Sequence, residues 1–130
     1  MALTKVTGQG IGSIDTEGTI KLDGNYPTGT NNVALGNTAL DDGSLSGGNN
    51  TAIGSAALSS TTSGADNTAV GFNVLSTNQT GSSNTAIGKS ALSLNTGGSN
   101  VAVGRSALEN NSTASNNTAV GKDALIANTT

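Results

Sequence analysis

Between residues 31 and 125 the chain alternates short apolar clusters with longer polar stretches, and the alternation is periodic. Six clusters share one form: Asn32-Val33-Ala34-Leu35-Gly36, Asn50-Thr51-Ala52-Ile53-Gly54, Asn67-Thr68-Ala69-Val70-Gly71, Asn84-Thr85-Ala86-Ile87-Gly88, Asn100-Val101-Ala102-Val103-Gly104 and Asn117-Thr118-Ala119-Val120-Gly121. After two variable residues each continues with a small apolar residue and a leucine: Ala39-Leu40, Ala57-Leu58, Val74-Leu75, Ala91-Leu92, Ala107-Leu108 and Ala124-Leu125. Successive cluster glycines are 18, 17, 17, 16 and 17 residues apart. The unit is N-[TV]-A-[ILV]-G-x-x-[AV]-L, followed by a connector rich in Ser, Thr, Asn and Gly.

A period near seventeen is too short for a pair of helices, and its glycine and β-branched content disfavours helix. It fits one coil of a parallel β-solenoid, with two short strands per coil, each ended by a turn. The first strand is the Asn-[Thr/Val]-Ala-aliphatic segment, stopped by glycine. The second covers the Ala-Leu pair, and the connector absorbs the length variation as loops do. The expected fold is all-β, a solenoid of six coils about 29 Å long at about 4.8 Å per coil.

Stacking places like residues over like. The aliphatic column Leu35, Ile53, Val70, Ile87, Val103 and Val120 and the leucine column are expected to fill the interior. The column Asn32, Asn50, Asn67, Asn84, Asn100 and Asn117 is expected to form an amide ladder, each side chain bonding the next. Strand alternation then puts Ala34, Ala52, Ala69, Ala86, Ala102 and Ala119 on the opposite face. An alanine at all six positions of that face points to close packing of another chain there, the alternative being that alanine merely fits a thin core. So thin a core opposes the ordering entropy of the chain weakly, which again favours association over a lone monomer.

Composition alone would suggest disorder, since aromatics are limited to Tyr26 and Phe72 and Gly, Ser, Thr, Asn and Ala fill most of the rest. The fixed period argues otherwise. Net charge is only −3, which gives no field to draw in nucleic acid. The acids lean to the first half (Asp15, Glu17, Asp23, Asp41, Asp42, Asp66), whereas Lys89, Arg105 and Lys122 fall in the second. These three cations share the position after the cluster glycine, so they stack in adjacent coils and are candidates for contact with an anionic surface. The column Thr51, Thr68, Thr85 and Thr118 is broken by Val33 and Val101, which argues against a regular ice-matching rank.

With no cysteine there are no disulfides or thiolate metal sites. With no histidine either, and no serine at motif spacing from a base, neither catalysis nor a cofactor is expected. Asp41-Asp42 beside Gly43 fits a turn, and Gly8-Gln9-Gly10-Ile11-Gly12 lacks the spacing of a phosphate loop. The start, Met1-Ala2-Leu3-Thr4-Lys5-Val6, has no apolar run like that of a signal peptide, and no stretch is long and apolar enough to insert in a membrane as a helix. Residues 1–30 stand apart from the repeats. There Thr19-Ile20-Lys21-Leu22 alternates like a strand before the Asp23-Gly24 turn, so this segment is expected to be a cap or attachment region, with residues 31–130 forming the roll.

The Asn-Thr-Ala-Val-Gly unit and its siblings resemble the head-domain repeat of trimeric autotransporter adhesins. In the longer form Asn-Asn-Thr-Ala-Val-Gly-x-x-Ala-Leu they also resemble repeats of bacteriophage tail-fibre and virion appendage proteins. The opening Met-Ala-Leu-Thr-Lys-Val-Thr-Gly is similar to the start of many phage fibre proteins. The resemblance implies a left-handed parallel β-roll and a homotrimer, with the alanine column as its candidate interface. It further implies a non-enzymatic virion fibre or decoration protein, located on the virion. Its partners would be itself, other virion proteins and a host surface glycan or lipopolysaccharide. Apart from the resemblance, residues 1–30 of a neighbouring copy, through a strand such as Thr19–Leu22, or another virion protein, are expected to cover the last coil, and the acidic first half meeting the basic second half suits the head-to-tail form. The head fragment of a bacterial surface adhesin and the subunit of a self-assembling extracellular filament are the alternatives.

Overall fold

The computed structural model describes residues 29–129. Six three-residue strands follow one another: β1 (Val33–Leu35), β2 (Thr51–Ile53), β3 (Thr68–Val70), β4 (Thr85–Ile87), β5 (Val101–Val103) and β6 (Thr118–Val120). They form one parallel sheet in sequence order. Register is strict, with alanine on alanine and aliphatic on aliphatic at every pairing. The chain is therefore a β-solenoid of about five turns. The proposed strand at residues 19–22 and most of the cap segment lie outside the described residues.

The strands are short because glycine ends each one. Gly36, Gly54, Gly71, Gly88, Gly104 and Gly121 all have φ between 122° and 135°, a region costly for a residue with a Cβ. Space excludes the Cβ as well. A methyl on Gly36 would lie 2.6 Å from the carbonyl carbon of Gly54, and one on Gly71 would lie 2.9 Å from that of Gly88. Glycine thus turns the chain and lets adjacent coils approach.

The second strand expected over the Ala-Leu pair is a turn instead. Residues 37–40 and their equivalents fold tightly, with Ala39 N–H donating to Gly36 C=O at 3.2 Å. The leucines take left-handed backbone angles, from φ 48° at Leu40 to 52° at Leu58 and Leu108. Such a conformation costs a non-glycine residue about 1–2 kcal/mol. Two features hold it. Leu40, Leu58, Leu75, Leu92 and Leu108 are fully buried, and each leucine N–H donates to a carbonyl of the next coil, as Leu40 does to Ala57 at 3.0 Å.

The faces of the strands are the reverse of the expected ones. The strand alanines point inward and are buried, four of them completely. They pack with the leucines and with Ala39, Ala57, Val74, Ala91 and Ala107 in one core. The aliphatic column faces out, with Leu35 and Ile87 each 41% exposed. Alternation separates the two columns but does not say which is inside. The turn folds its leucine directly beneath the strand, and that narrow interior accepts only a methyl from the strand above. The six alanines therefore line the interior of the coils rather than a free face of the chain.

Candidate functional site

A buried polar scaffold positions everything outside it. Each of the first five ladder asparagines bonds in two directions. Its Nδ2 closes its own coil by donating to a connector carbonyl: Asn50 to Gly64 at 2.9 Å, Asn67 to Gly81 at 2.9 Å, Asn100 to Ala114 at 2.9 Å. Its Oδ1 accepts the backbone N–H of the next ladder asparagine, at 2.8 Å from Asn32 to Asn50 and 2.9 Å from Asn67 to Asn84. The expected amide-to-amide bond appears at two steps, Asn67 to Asn50 and Asn84 to Asn67, both 3.1 Å. Most of the ladder is therefore side chain to backbone. It satisfies buried groups that would be costly to leave unpaired.

A second polar column runs beside it, three residues after each leucine from Leu58 onward: Thr61, Asn78, Asn95, Asn111 and Asn128. Asn111 donates to Asn95 Oδ1 at 2.9 Å, and Asn128 to Asn111 Oδ1 at 2.9 Å. The two columns meet where Asn100 Nδ2 reaches Asn95 Oδ1 at 3.2 Å. Sequence reading placed these residues in a variable connector. The signal was an asparagine at the same offset from leucine in four repeats, hidden by connectors of unequal length.

Outside the scaffold lies the sheet's outer face, two columns wide. One column is Val33, Thr51, Thr68, Thr85, Val101 and Thr118; the other is Leu35, Ile53, Val70, Ile87, Val103 and Val120, in register from coil to coil. It is half-exposed to exposed throughout. Methyl groups dominate it, and a contiguous apolar patch of this kind marks an interaction surface.

The three cations stand together as expected, one per coil, and all are exposed. They are not equivalent. Asp123 lies 3.7 Å from Arg105 and 3.4 Å from Lys122, exposed pairs that contribute little to stability. Lys89 instead sits over the ring of Phe72, 5.8 Å from its centroid. Phe72 occupies the same position one coil earlier, so the row reads aromatic, cation, cation, cation. Elsewhere, Asp42 closes a turn in which Ser44 Oγ donates to Asp42 Oδ1 at 2.5 Å and Ser44 N–H at 2.8 Å. The Ser44 hydroxyl, then its backbone N–H, hold this carboxyl below the ordinary aspartate value.

Among the described residues no group of three or more acidic, histidine or cysteine side chains could hold a metal, and no helix is long and apolar enough to cross a membrane. No protein-family model, curated protein or solved structure matches the chain.

Proposed function

We propose that this chain is a non-enzymatic structural and adhesive element: a left-handed β-roll that assembles as a homotrimer in a virion appendage, a phage fibre or decoration, and meets the host surface. The outer face carries the reading. Two in-register columns of apolar and threonine side chains run the length of the sheet on a molecule with a core one leucine deep. Covering that face with copies of itself removes from water the apolar surface that the interior could not accept, at about 25 cal/mol per Å². The repeat's resemblance to adhesin heads and phage fibres supplies the number of chains and the handedness.

The row Phe72, Lys89, Arg105 and Lys122 is the part of this surface suited to an anionic glycan. Its members are about 4.8 Å apart along the axis, and the aromatic offers a stacking platform at one end. Immunogold labelling of purified particles tests the location, with label on appendages expected. Glycan-array binding tests the contact. Changing Lys89, Arg105 and Lys122 together to Ser should abolish binding to acidic glycans, and unchanged binding would refute the role of the row.

A further inference from the structure

The cation row contains two neighbouring pairs, Lys89 with Arg105 and Arg105 with Lys122. Asp123 serves the second pair. Its carboxylate lies 3.7 Å from Arg105 and 3.4 Å from Lys122, so one acid answers cations of two successive coils. The first pair stands in the coils of β4 and β5, inside the stack. No acid answers it among the described residues.

One coil before Asp123, the same place in the repeat is held by Ser106. The two positions match in backbone. Asp123 N–H donates to Arg105 C=O at 2.8 Å, and Ser106 N–H donates to Lys89 C=O at 2.8 Å. Their φ angles are 57° and 56°. The Cα of Ser106 therefore sits to Lys89 and Arg105 as that of Asp123 sits to Arg105 and Lys122, but its side chain carries no carboxylate. Ser106 is only 8% exposed, and its hydroxyl has no hydrogen-bond partner among the described residues. A buried hydroxyl normally has one. The two cations beside it have donors to spare. Lys89 rests over the Phe72 ring, which offers no oxygen. Arg105 meets Asp123 through one terminal nitrogen, and a guanidinium has five N–H donors.

We propose that Lys89, Arg105 and Ser106 form a site for a carboxylate brought from outside the chain, that of an acidic sugar, and that the Asp123 cluster is the internally filled copy of this site. The inference rests on the glycan contact proposed above and narrows it, from anions in general to carboxylates and from the whole row to one step of it. The internal copy is what selects the group: one coil on, the same backbone and the same kind of cation pair are matched to a carboxylate. One ligand oxygen accepts from the Arg105 guanidinium and the Lys89 ammonium, and the other accepts from the Ser106 hydroxyl. Such charge-assisted bonds are the strong ones. Asp123 also limits the site to a single acid, because it already answers the next pair.

Exchanging the two side chains tests the site. Ser106→Asp supplies the carboxylate from within, and aspartate tolerates the left-handed angle there. Asp123→Ser does the reverse and opens the second pair. Amide NMR of the full chain, titrated with glucuronate, should show saturable shifts at Lys89, Arg105 and Ser106, and titration with glucose should show none. Ser106→Asp should weaken glucuronate binding roughly tenfold or more, and Asp123→Ser should add a second response at Lys122. A Ser106→Asp chain with a wild-type fold that binds glucuronate like wild type overturns the proposal. So does an Asp123→Ser chain with no added response, or a glucose sulfate that binds as tightly as glucuronate. Failure of the wider reading looks different. Glycan-array binding that is lost on changing Lys89, Arg105 and Lys122 to Ser but kept by Ser106→Asp overturns this site and leaves the row standing. An array that retains no acidic glycan sinks the row's role in attachment, while the glucuronate titration still decides the site.

Discussion

Asn50 Oδ1 accepts two hydrogen bonds from Asn67, one coil further on: the backbone N–H at 3.0 Å and the side-chain amide at 3.1 Å. Asn67 in turn ties its own coil shut through Gly81. One buried side chain thus fixes both the closure of a coil and its register on the next. Asn67→Ala should cost about 1–3 kcal/mol through the groups it strands, whereas Thr80→Ala on the exposed connector should stay within about 0.5 kcal/mol. Urea denaturation compares the two, and equal midpoints would dismiss the ladder as a source of stability.

The inward alanine predicts an inverted substitution pattern within a single strand. Ala69→Leu forces three extra carbons into a filled interior and should destabilise by about 1–3 kcal/mol. Its outward neighbour Val70 should accept leucine at little cost to the fold. Thermal melts of the two variants decide the matter, and a larger loss at Val70 would restore the opposite facing.

Position along the stack should change what one substitution does. Gly71→Ala and Gly121→Ala carry the same backbone strain, but only at Gly71 does the new methyl press on a following coil, with Gly88 at 2.9 Å. Gly71→Ala should therefore lower the melting temperature clearly more than Gly121→Ala. Likewise Leu75→Ala should cost about 2–5 kcal/mol as a core truncation, and Leu125→Ala much less, because Leu125 is half in water.

The Asp42 turn gives a local pH dependence. Its carboxyl is held below the ordinary value by Ser44, so the interaction is complete above the unfolded pKa and is lost as pH falls through the lower, folded one. The turn lies at the surface, and its effect on global stability is small. Ser44→Ala should move the Asp42 titration, followed by carbon-detected NMR, back up toward that of a free aspartate. No movement would show that the turn does not set it.

Much of this fold was legible as text because a solenoid repeats its chemistry at a fixed interval. The strand segments, their parallel in-register stacking and the asparagine column all follow from the spacing of Asn32, Asn50 and their successors. Three features were not legible, each for a physical reason. Alternation fixes that Ala69 and Val70 face opposite ways, but the depth of the interior decides which is inside, and that depth is set by a turn elsewhere in the coil. The Ala-Leu pair looked like a strand because leucine rarely adopts positive φ; here burial and a bond to the next coil hold it there. Asn78, Asn95 and Asn111 escaped notice because connectors of unequal length shifted them against the glycines. The cation row was readable, but Phe72 at its head and Asp123 beside it emerged only when the coils were stacked.

The central claim is that the outward columns, not the alanines, join the chains. Light scattering on the purified full chain, alone and with Ile53→Asp and Ile87→Asp combined, tests it most directly. Both residues lie on the outer face and outside the core, so the double variant should keep its solenoid, followed by circular dichroism. The predicted result is a wild-type mass of three chains, falling to that of single chains in the variant. A wild-type chain that is a stable folded monomer, or a variant that remains a trimer, would contradict the account.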